Sequence, residues 1–264
     1  MVEHVIVTMS RGDAPRLAEW VTYHQDLGFD EFYVVLDHPV DDSAEILRGL
    51  PGDITVDERG PYREYWDDNP PANQADRQAL ESAWRDENGE DIVRWKLPIV
   101  DALSYRQLLY LAGVLNLYAV RGDCWVSVLD VDEFLVLPGG GSIQDLTAGS
   151  DAPRLRFKNY NFDTSAWRPG ASVLGSSVKR WHQEDIDAYG HGWDRRVKAI
   201  VRHDALLPFA SVHAISRGQF IVVDPEVGRL HHYRVPDQAL EGLPYRVTDT
   251  AAAERAQRLA SAAG

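Results

Sequence analysis

Three short runs rich in β-branched and aromatic residues, His4 to Met9, Glu31 to Leu36 and Ile54 to Val56, are separated by two stretches with helical spacing. Strand, helix, strand, helix, strand in that order admits few folds. A helix between two strands returns the second parallel to the first, through a right-handed crossover. In the first intervening stretch Leu17, Ala18, Trp20, Val21 and Leu27 recur on one helical face. Asp13 is placed to cap this helix, Pro15 is tolerated in its first turn, and Gly28 is placed to end it. Asp42 and Glu45 have the spacing of a capping box for the second helix. The expected fold class is α/β, with helices on both faces of the sheet.

The pattern then breaks. Residues 57 to 97 are rich in Asp, Glu, Asn, Pro and Trp and read as a long irregular insertion holding one helix, Gln74 to Arg85. A second helix is expected from about Ile99 to Ala119, and the run Val128 to Pro138 follows as a fourth strand. After Gly139, Gly140 and Gly141 come short strand signals at Leu155 to Lys158, Val197 to Arg202 and Gln219 to Val223. These suggest antiparallel additions, so that the whole sheet is mixed. Thr250 to Gly264 is rich in Ala and Arg and reads as a surface helix or frayed tail. The expected division is one domain over 1–250, with halves 1–138 and 139–250, and a tail over 251–264.

Composition narrows the function. A formal net charge of -14 argues against a general nucleic-acid binder, which needs a basic surface to neutralise phosphates. It leaves room for a nucleotide whose charge is met locally by a metal ion. The single cysteine, Cys124, excludes an internal disulfide framework and suits a reducing cytoplasm, the expected location. The start, MVEHVIVTMSRGD, lacks the basic and long apolar regions of a signal peptide. The longest apolar stretch, Leu108 to Val120, is short and interrupted by Asn116, so no membrane span is expected.

The chemistry concentrates in VLDVDEFLVLP, where Asp130, Asp132 and Glu133 fall within four positions of an apolar run. Like charges so close are costly to bury unless a cation compensates them. If the strand continues through them, Asp130 and Asp132 share a side and Glu133 faces the other. The C-terminal end of a strand is where ligands bind in open α/β sheets. Two carboxylates there suit Mg²⁺ or Mn²⁺, which prefer oxygen ligands and keep positions open for phosphates. A solvated strand end is the bland alternative, opposed by the apolar residues Phe134 to Leu137 that come after it. A P-loop ATPase reading of VSVLDVDE fails because the chain has no GxxxxGK[ST]. An aspartate-nucleophile phosphatase places its Asp-x-Asp on the first strand rather than in mid-chain. A glycosyltransferase Asp-x-Asp, which lies after the nucleotide-binding half, agrees in position.

The segment Glu19 to Leu47, the helix bearing Gln107, WVSVLDVDEFLVLP (Trp125 to Pro138) and HYR (His232 to Arg234) together resemble glycosyltransferases similar to family 92. These are bacterial family 2-like proteins of the GT-A fold, and the resemblance covers roughly residues 3 to 235. It implies a Rossmann-like GT-A domain, a nucleotide-sugar donor and a divalent metal on the Asp-x-Asp. The implied reaction is hexosyl transfer, from a UDP-sugar or another nucleotide sugar, to a hydroxyl of a glycan or related acceptor. The resemblance also places Gln107 toward the donor and makes His232 a third metal ligand, with His213 in reserve. The chain departs from the family at Gly12 and Asp13, where Asn-Glu is common, and at His38, where Asn is common.

Other candidates come from position. Thr8, Ser10 and Arg11 end the first strand, where a nucleotide would cross the sheet, and Asp37 ends the second, as a base or ribose contact or as a turn former. Arg106 precedes Gln107 and reads equally as a solvent-facing residue. Period-two spacing puts Arg196, Lys198 and Arg202 on one strand face, suited to a diphosphate leaving group or simply polar. The segment Arg180 to Arg196 reads as a loop that closes over the donor. An inverting enzyme needs a carboxylate base, for which Glu184 and Asp185 are candidates, while Trp167, Trp181 and Trp193 are candidate sugar platforms or packing residues. Two rivals remain: a metal-dependent phosphatase, and a carbohydrate-binding protein on the same fold without catalysis.

Overall fold

The computed structural model describes residues 2–60, 74–87, 89, 102–189, 197–209, 211–213, 215, 218–234 and 243–263. Strands β1 (Glu3–Ser10), β2 (Glu31–Asp37) and β3 (Asp53–Arg59) alternate with helices α1 (Ala14–Leu27) and α2 (Ser43–Gly49), in the order expected. Helices α3 (Gln74–Glu87) and α4 (Ala102–Arg121) precede β4 (Cys124–Val128) and β5 (Glu133–Val136). Beyond Gly60, apart from α3 and Gly89, the expected 57–97 insertion and the expected helix start at Ile99 lie outside the described residues. Next come α5 (Ile143–Ala148), β6 (Arg154–Phe157), β7 (Asn159–Asn161), α6 (Val173–Ser176), β8 (Lys179–Trp181) and α7 (Gln183–Tyr189). The chain closes with β9 (Lys198–Arg202), β10 (Ile221–Val222), β11 (Arg229–His232), β12 (Tyr245–Thr248) and α8 (Ala251–Ala263).

Seven strands form the main sheet in the order β10-β6-β9-β4-β1-β2-β3. β1 is parallel to both β2 and β4, and β9 runs antiparallel to β4 and β6, so the sheet is mixed and draws on both halves of the chain. Alternation along β1 explains the layers. Ile6 joins Leu17, Trp20 and Val21 of α1 in one buried cluster, while Val5 and Val7 join Leu111, Leu115 and Tyr118 of α4 in another. Helices therefore cover both faces, as the hydrophobic pattern implied. The α1-side cluster runs from Ile6 to Ala252, which makes the two halves one domain. A three-stranded sheet, β5-β11-β7, packs into that cluster.

Several expectations are corrected. VLDVDEFLVLP is two strands in two sheets, not one, because the chain turns between Val128 and Glu133. Alternation therefore does not set the directions of Asp130 and Asp132. Asp13 makes no side-chain cap on α1; Asp41 does, its Oδ2 accepting the Ala14 N–H at 3.0 Å. The Asp42–Glu45 capping box is absent, and Asp41 accepts from the Ser43 N–H at 3.1 Å instead. Gly28 does end α1, at φ 105°, a left-handed conformation that only glycine adopts without strain. The expected loop from Arg180 is, in its described part, the end of β8 and helix α7. Of the two alternatives for the C-terminal segment, surface helix or frayed tail, the helix is found, and it is docked: Ala252 is buried and Arg255 Nη1 lies 2.7 Å from Asp26 Oδ2. No helix among the described residues is long and apolar enough to cross a membrane.

Candidate functional site

β2 and β3 lie on one side of β1 and β4 on the other, so the order of parallel strands reverses between β1 and β4. A crevice outside the strand ends is the expected ligand position at such a switch. Thr8 and Ser10 stand at the end of β1, and the acidic turn comes directly after β4.

The turn is built from both sheets. Glu133 N–H donates to Asp130 C=O at 2.9 Å, closing a tight turn, and Asp130 N–H donates to Glu133 Oε2 at 2.9 Å. Helix α1 then holds β5 in place. β5 is an edge strand, and its outward groups are the C=O of Glu133 and the N–H of Leu135. Trp20 Nε1 donates to the first at 2.8 Å, and His24 Nε2 accepts from the second at 3.2 Å. Trp20 and His24 are one helical turn apart, which matches two residues of strand. His24 Nδ1 sits 2.9 Å from Trp20 C=O, so the ring is neutral, with its hydrogen on Nδ1. Burial drives the same result, holding the His24 pKa down at about 3.

β11 runs antiparallel to β5 with His232 opposite Glu133, and Tyr233 N–H donates to Asp132 C=O at 2.7 Å. This register brings His232 Nε2 to 3.2 Å from Asp132 Oδ2. Burial alone would raise the Asp132 carboxyl, but His232, with Arg16 and Arg234, prevails and holds it well below the carboxylate range. On the other flank Lys198, fully buried on β9, places Nζ 2.9 Å from Asp130 Oδ2 and 3.0 Å from Glu133 Oε2. Burial would lower the Lys198 pKa, yet Asp130 and Glu133 raise it, so the ammonium stays charged. Burial pushes the Glu133 carboxyl up, against the pull of Lys198. Within the chain, Lys198 thus compensates Asp130 and Glu133, while His232, Arg16 and Arg234 serve Asp132.

Of the residues singled out from sequence, Asp130, Asp132, His232 and Lys198 are brought together. Thr8 is buried at the end of β1, and Ser10 Oγ donates to Asp13 Oδ2 at 2.7 Å. Arg11 is half-buried in the loop after β1. Asp37 is fully engaged: Arg106 Nε reaches its two oxygens at 3.1 and 2.9 Å, and Nη2 lies 2.7 Å from Oδ2. Arg106 is therefore a buried partner rather than a solvent-facing residue, and Gln107 is half-buried beside it. Arg202 does not continue a cationic row with Lys198. It lies four residues along β9, about 13 Å by strand rise, and binds Asp204 at 2.9 Å.

Glu184 and Asp185 sit on α7. Asp185 accepts two bonds of 2.7 Å from Arg246, and Glu184 is exposed. Among the described residues no hydrogen bond or ion pair joins either to Asp130, Asp132 or His232. Trp167 and Trp181 are buried, the latter stacked on Tyr245 at 6.2 Å, so both are packing residues. Trp193 and Arg196 lie outside the described residues. His232, not His213, meets Asp132.

Sequence reading missed part of the site. Arg16 bridges Asp13 and the Tyr233 carbonyl, at 2.9 and 3.2 Å. Asn159 Nδ2 lies 3.4 Å from His232 Nδ1, and Asn161 stands opposite His232 in register. The alternation Asn-Tyr-Asn was the available signal: two amides on one strand face. Among the described residues, the buried Oδ1 atoms of Asn159 and Asn161, Thr8 Oγ1 and Arg234 Nη1 have no hydrogen-bond partner. Buried polar atoms are normally paired, so orphans near His232 and at the end of β1 are places where a polar ligand could bind.

A divalent metal fits one flank of this arrangement. Asp132 and His232 offer a carboxylate and an imidazole nitrogen, an acceptable donor pair for Mn²⁺. Asp130 faces Lys198 instead, and among the described residues no three His, Cys, Asp or Glu side chains are grouped as a metal site.

No family model and no curated protein matches the chain. Solved structures similar to it include S. aureus TarS 1-349, at 9% identity and TM-score 0.41, over 88% of this chain and 60% of that one. Core-mannan synthase A from Aspergillus fumigatus, in a Mn/GDP form, is similar at 10% identity and TM-score 0.35, over 63% of this chain and 44% of that one. HddC from Yersinia pseudotuberculosis is similar at 9% identity and TM-score 0.35, over 83% and 89%. The chain thus spans less than two thirds of the length of the first two. Likenesses this distant transfer no donor, metal or acceptor to it.

Proposed function

We propose that the chain is a GT-A-type glycosyltransferase, a hexosyltransferase that moves a sugar from a nucleotide sugar, a UDP-sugar in the first instance, to a hydroxyl of a glycan or related acceptor. The observation that carries this reading is the Asp132–His232 pair beside the switch between β1 and β4, with Asn159, Asn161, Thr8 and Arg234 each keeping a buried polar atom without a partner among the described residues. That crevice offers carboxylate, imidazole, guanidinium and amide groups together, which suits a ligand bearing both phosphate and hydroxyls. The resemblance of the acidic turn and the HYR segment to family 92-like enzymes supports the same reading.

Asp132 and His232 would hold Mn²⁺ or Mg²⁺, which when bound supplies Lewis-acid stabilisation of a departing diphosphate. The chain's own contribution is positional. Trp20 and His24 lock β5, Arg16 ties α1 to the segment after β11, and Arg234 adds positive charge beside Asp132. Asp185 is held by Arg246, which leaves Glu184 as the member of that pair facing solvent.

The test is release of nucleoside diphosphate from a panel of UDP-, GDP- and CDP-sugars with Mn²⁺, for the natural protein and for Asp132→Ala. Turnover of one donor class, at least about 100-fold lower in the folded variant, is the expected result, in keeping with loss of one principal electrostatic group. Equal turnover in Asp132→Ala, or none with any donor in the natural protein, would overturn the assignment.

A further inference from the structure

The acidic turn carries its own cation. Lys198 Nζ sits almost equally far from Asp130 Oδ2 and Glu133 Oε2, at 2.9 and 3.0 Å, and its side chain has no solvent exposure. Its backbone is paired in β9 opposite Phe157 of β6. Glu133 Oε2 also accepts the Asp130 N–H, so carboxylate, ammonium and backbone brace one another across the turn. Asp132 has a different environment: it faces His232 at 3.2 Å, and its surrounding charges are His232, Arg16 and Arg234. The two aspartates thus open onto different partners. Lys198 Nζ neutralises Asp130 at 2.9 Å and so weakens its pull on a divalent ion, although the Asp130 carboxylate itself is partly exposed.

We propose that the roles of the two aspartates are divided: Asp130, with Glu133, is the counter-ion of Lys198 and shapes the turn, while Asp132, with His232, alone faces the metal and ligand. Lys198 is then a positioning residue that stands where a second metal contact would otherwise form. The metal side of this inference rests on the function proposed above; the division of roles does not. It predicts that removing Lys198 frees two carboxylates and creates a better divalent-cation site.

The experiment is Mn²⁺ binding followed by the electron paramagnetic resonance signal of free Mn²⁺, with Mn²⁺ alone and with Mn²⁺ plus UDP. The proteins are the natural chain, Asp130→Asn, Asp132→Asn and Lys198→Met, and unfolding in EDTA is measured for each. Expected are Mn²⁺ affinity within about threefold of the natural value in Asp130→Asn, a loss of tenfold or more in Asp132→Asn, and a gain of tenfold or more in Lys198→Met. In EDTA, Asp130→Asn should lower the unfolding midpoint, because the buried Lys198 then keeps only Glu133 as its counter-ion. If Lys198→Met does not fold without metal, refolding on addition of Mn²⁺ supports the division, and failure to refold counts against it. Equal loss of Mn²⁺ in the two aspartate variants overturns the proposal. If the natural chain binds no Mn²⁺, the metal part of the proposed function fails; a Mn²⁺ site gained in Lys198→Met then still supports the division, and no gain refutes it.

Discussion

Acid should unlock helix α1 from β5, and His24 is the reason. The ring is fully buried, stacked on Phe134 at 5.6 Å, donates from Nδ1 to Trp20 C=O and accepts at Nε2 from Leu135 N–H. Protonation would place an N–H at Nε2 against an N–H donor, in a buried site. The folded pKa is held at about 3 by burial, below the ordinary 6.5. The unfolded chain therefore takes up this proton first. The stabilisation is present above pH 6.5 and is lost as pH falls toward 3. A shift of this size corresponds to about 5 kcal/mol in all, with a limiting slope of about 1.4 kcal/mol per pH unit inside the window. The assay is urea unfolding at several pH values between about 7.5 and 4.5, in the natural protein and in His24→Gln. Glutamine can make both hydrogen bonds but cannot titrate. The variant should lose about 1–2 kcal/mol at neutral pH, the scale of an imperfectly replaced buried hydrogen bond. Its stability should fall with acid by nearly one proton less than that of the natural chain, since all other groups cancel in the comparison. Identical slopes would refute the claim that His24 is held neutral.

Two other outcomes are expected. Arg106→Met should cost about 3–5 kcal/mol in urea unfolding, because it strands Asp37 as an unpaired buried carboxylate, and Arg106→Met with Asp37→Leu should recover most of that loss. Cys124 is buried and burial pushes its thiol up to about 11, so a thiol reagent at pH 8 should leave the native protein unmodified and label it fully in denaturant.

The fold of the first half was legible because its determinants are local. Val5, Ile6 and Val7 divide between two buried faces, and Gly28 ends its helix through its own backbone. The break in VLDVDEFLVLP was not legible. A continuous apolar run reads as one strand, and what permits the turn is Lys198, dozens of residues further along the chain. The sequence KAIVR shows a lysine at the head of an apolar strand but not that its ammonium points inward. Capping failed for a similar reason: Asp41 and Asp42 are adjacent, and the docking of α1 decides that Asp41 serves both helix starts. The pairing of Asp132 with His232 was anticipated through family resemblance rather than spacing. The Arg106–Asp37 pair joins β2 to α4 across 69 positions, a contact that no periodicity reveals.

The most direct measurement is calorimetric titration of the protein with UDP in the presence and absence of Mn²⁺, repeated with Asp132→Ala. Binding should strengthen at least tenfold with Mn²⁺ and lose that gain in the variant while the fold persists. UDP binding unaffected by both Mn²⁺ and the substitution, or no nucleotide binding when GDP and CDP are also tried, would contradict the proposed function.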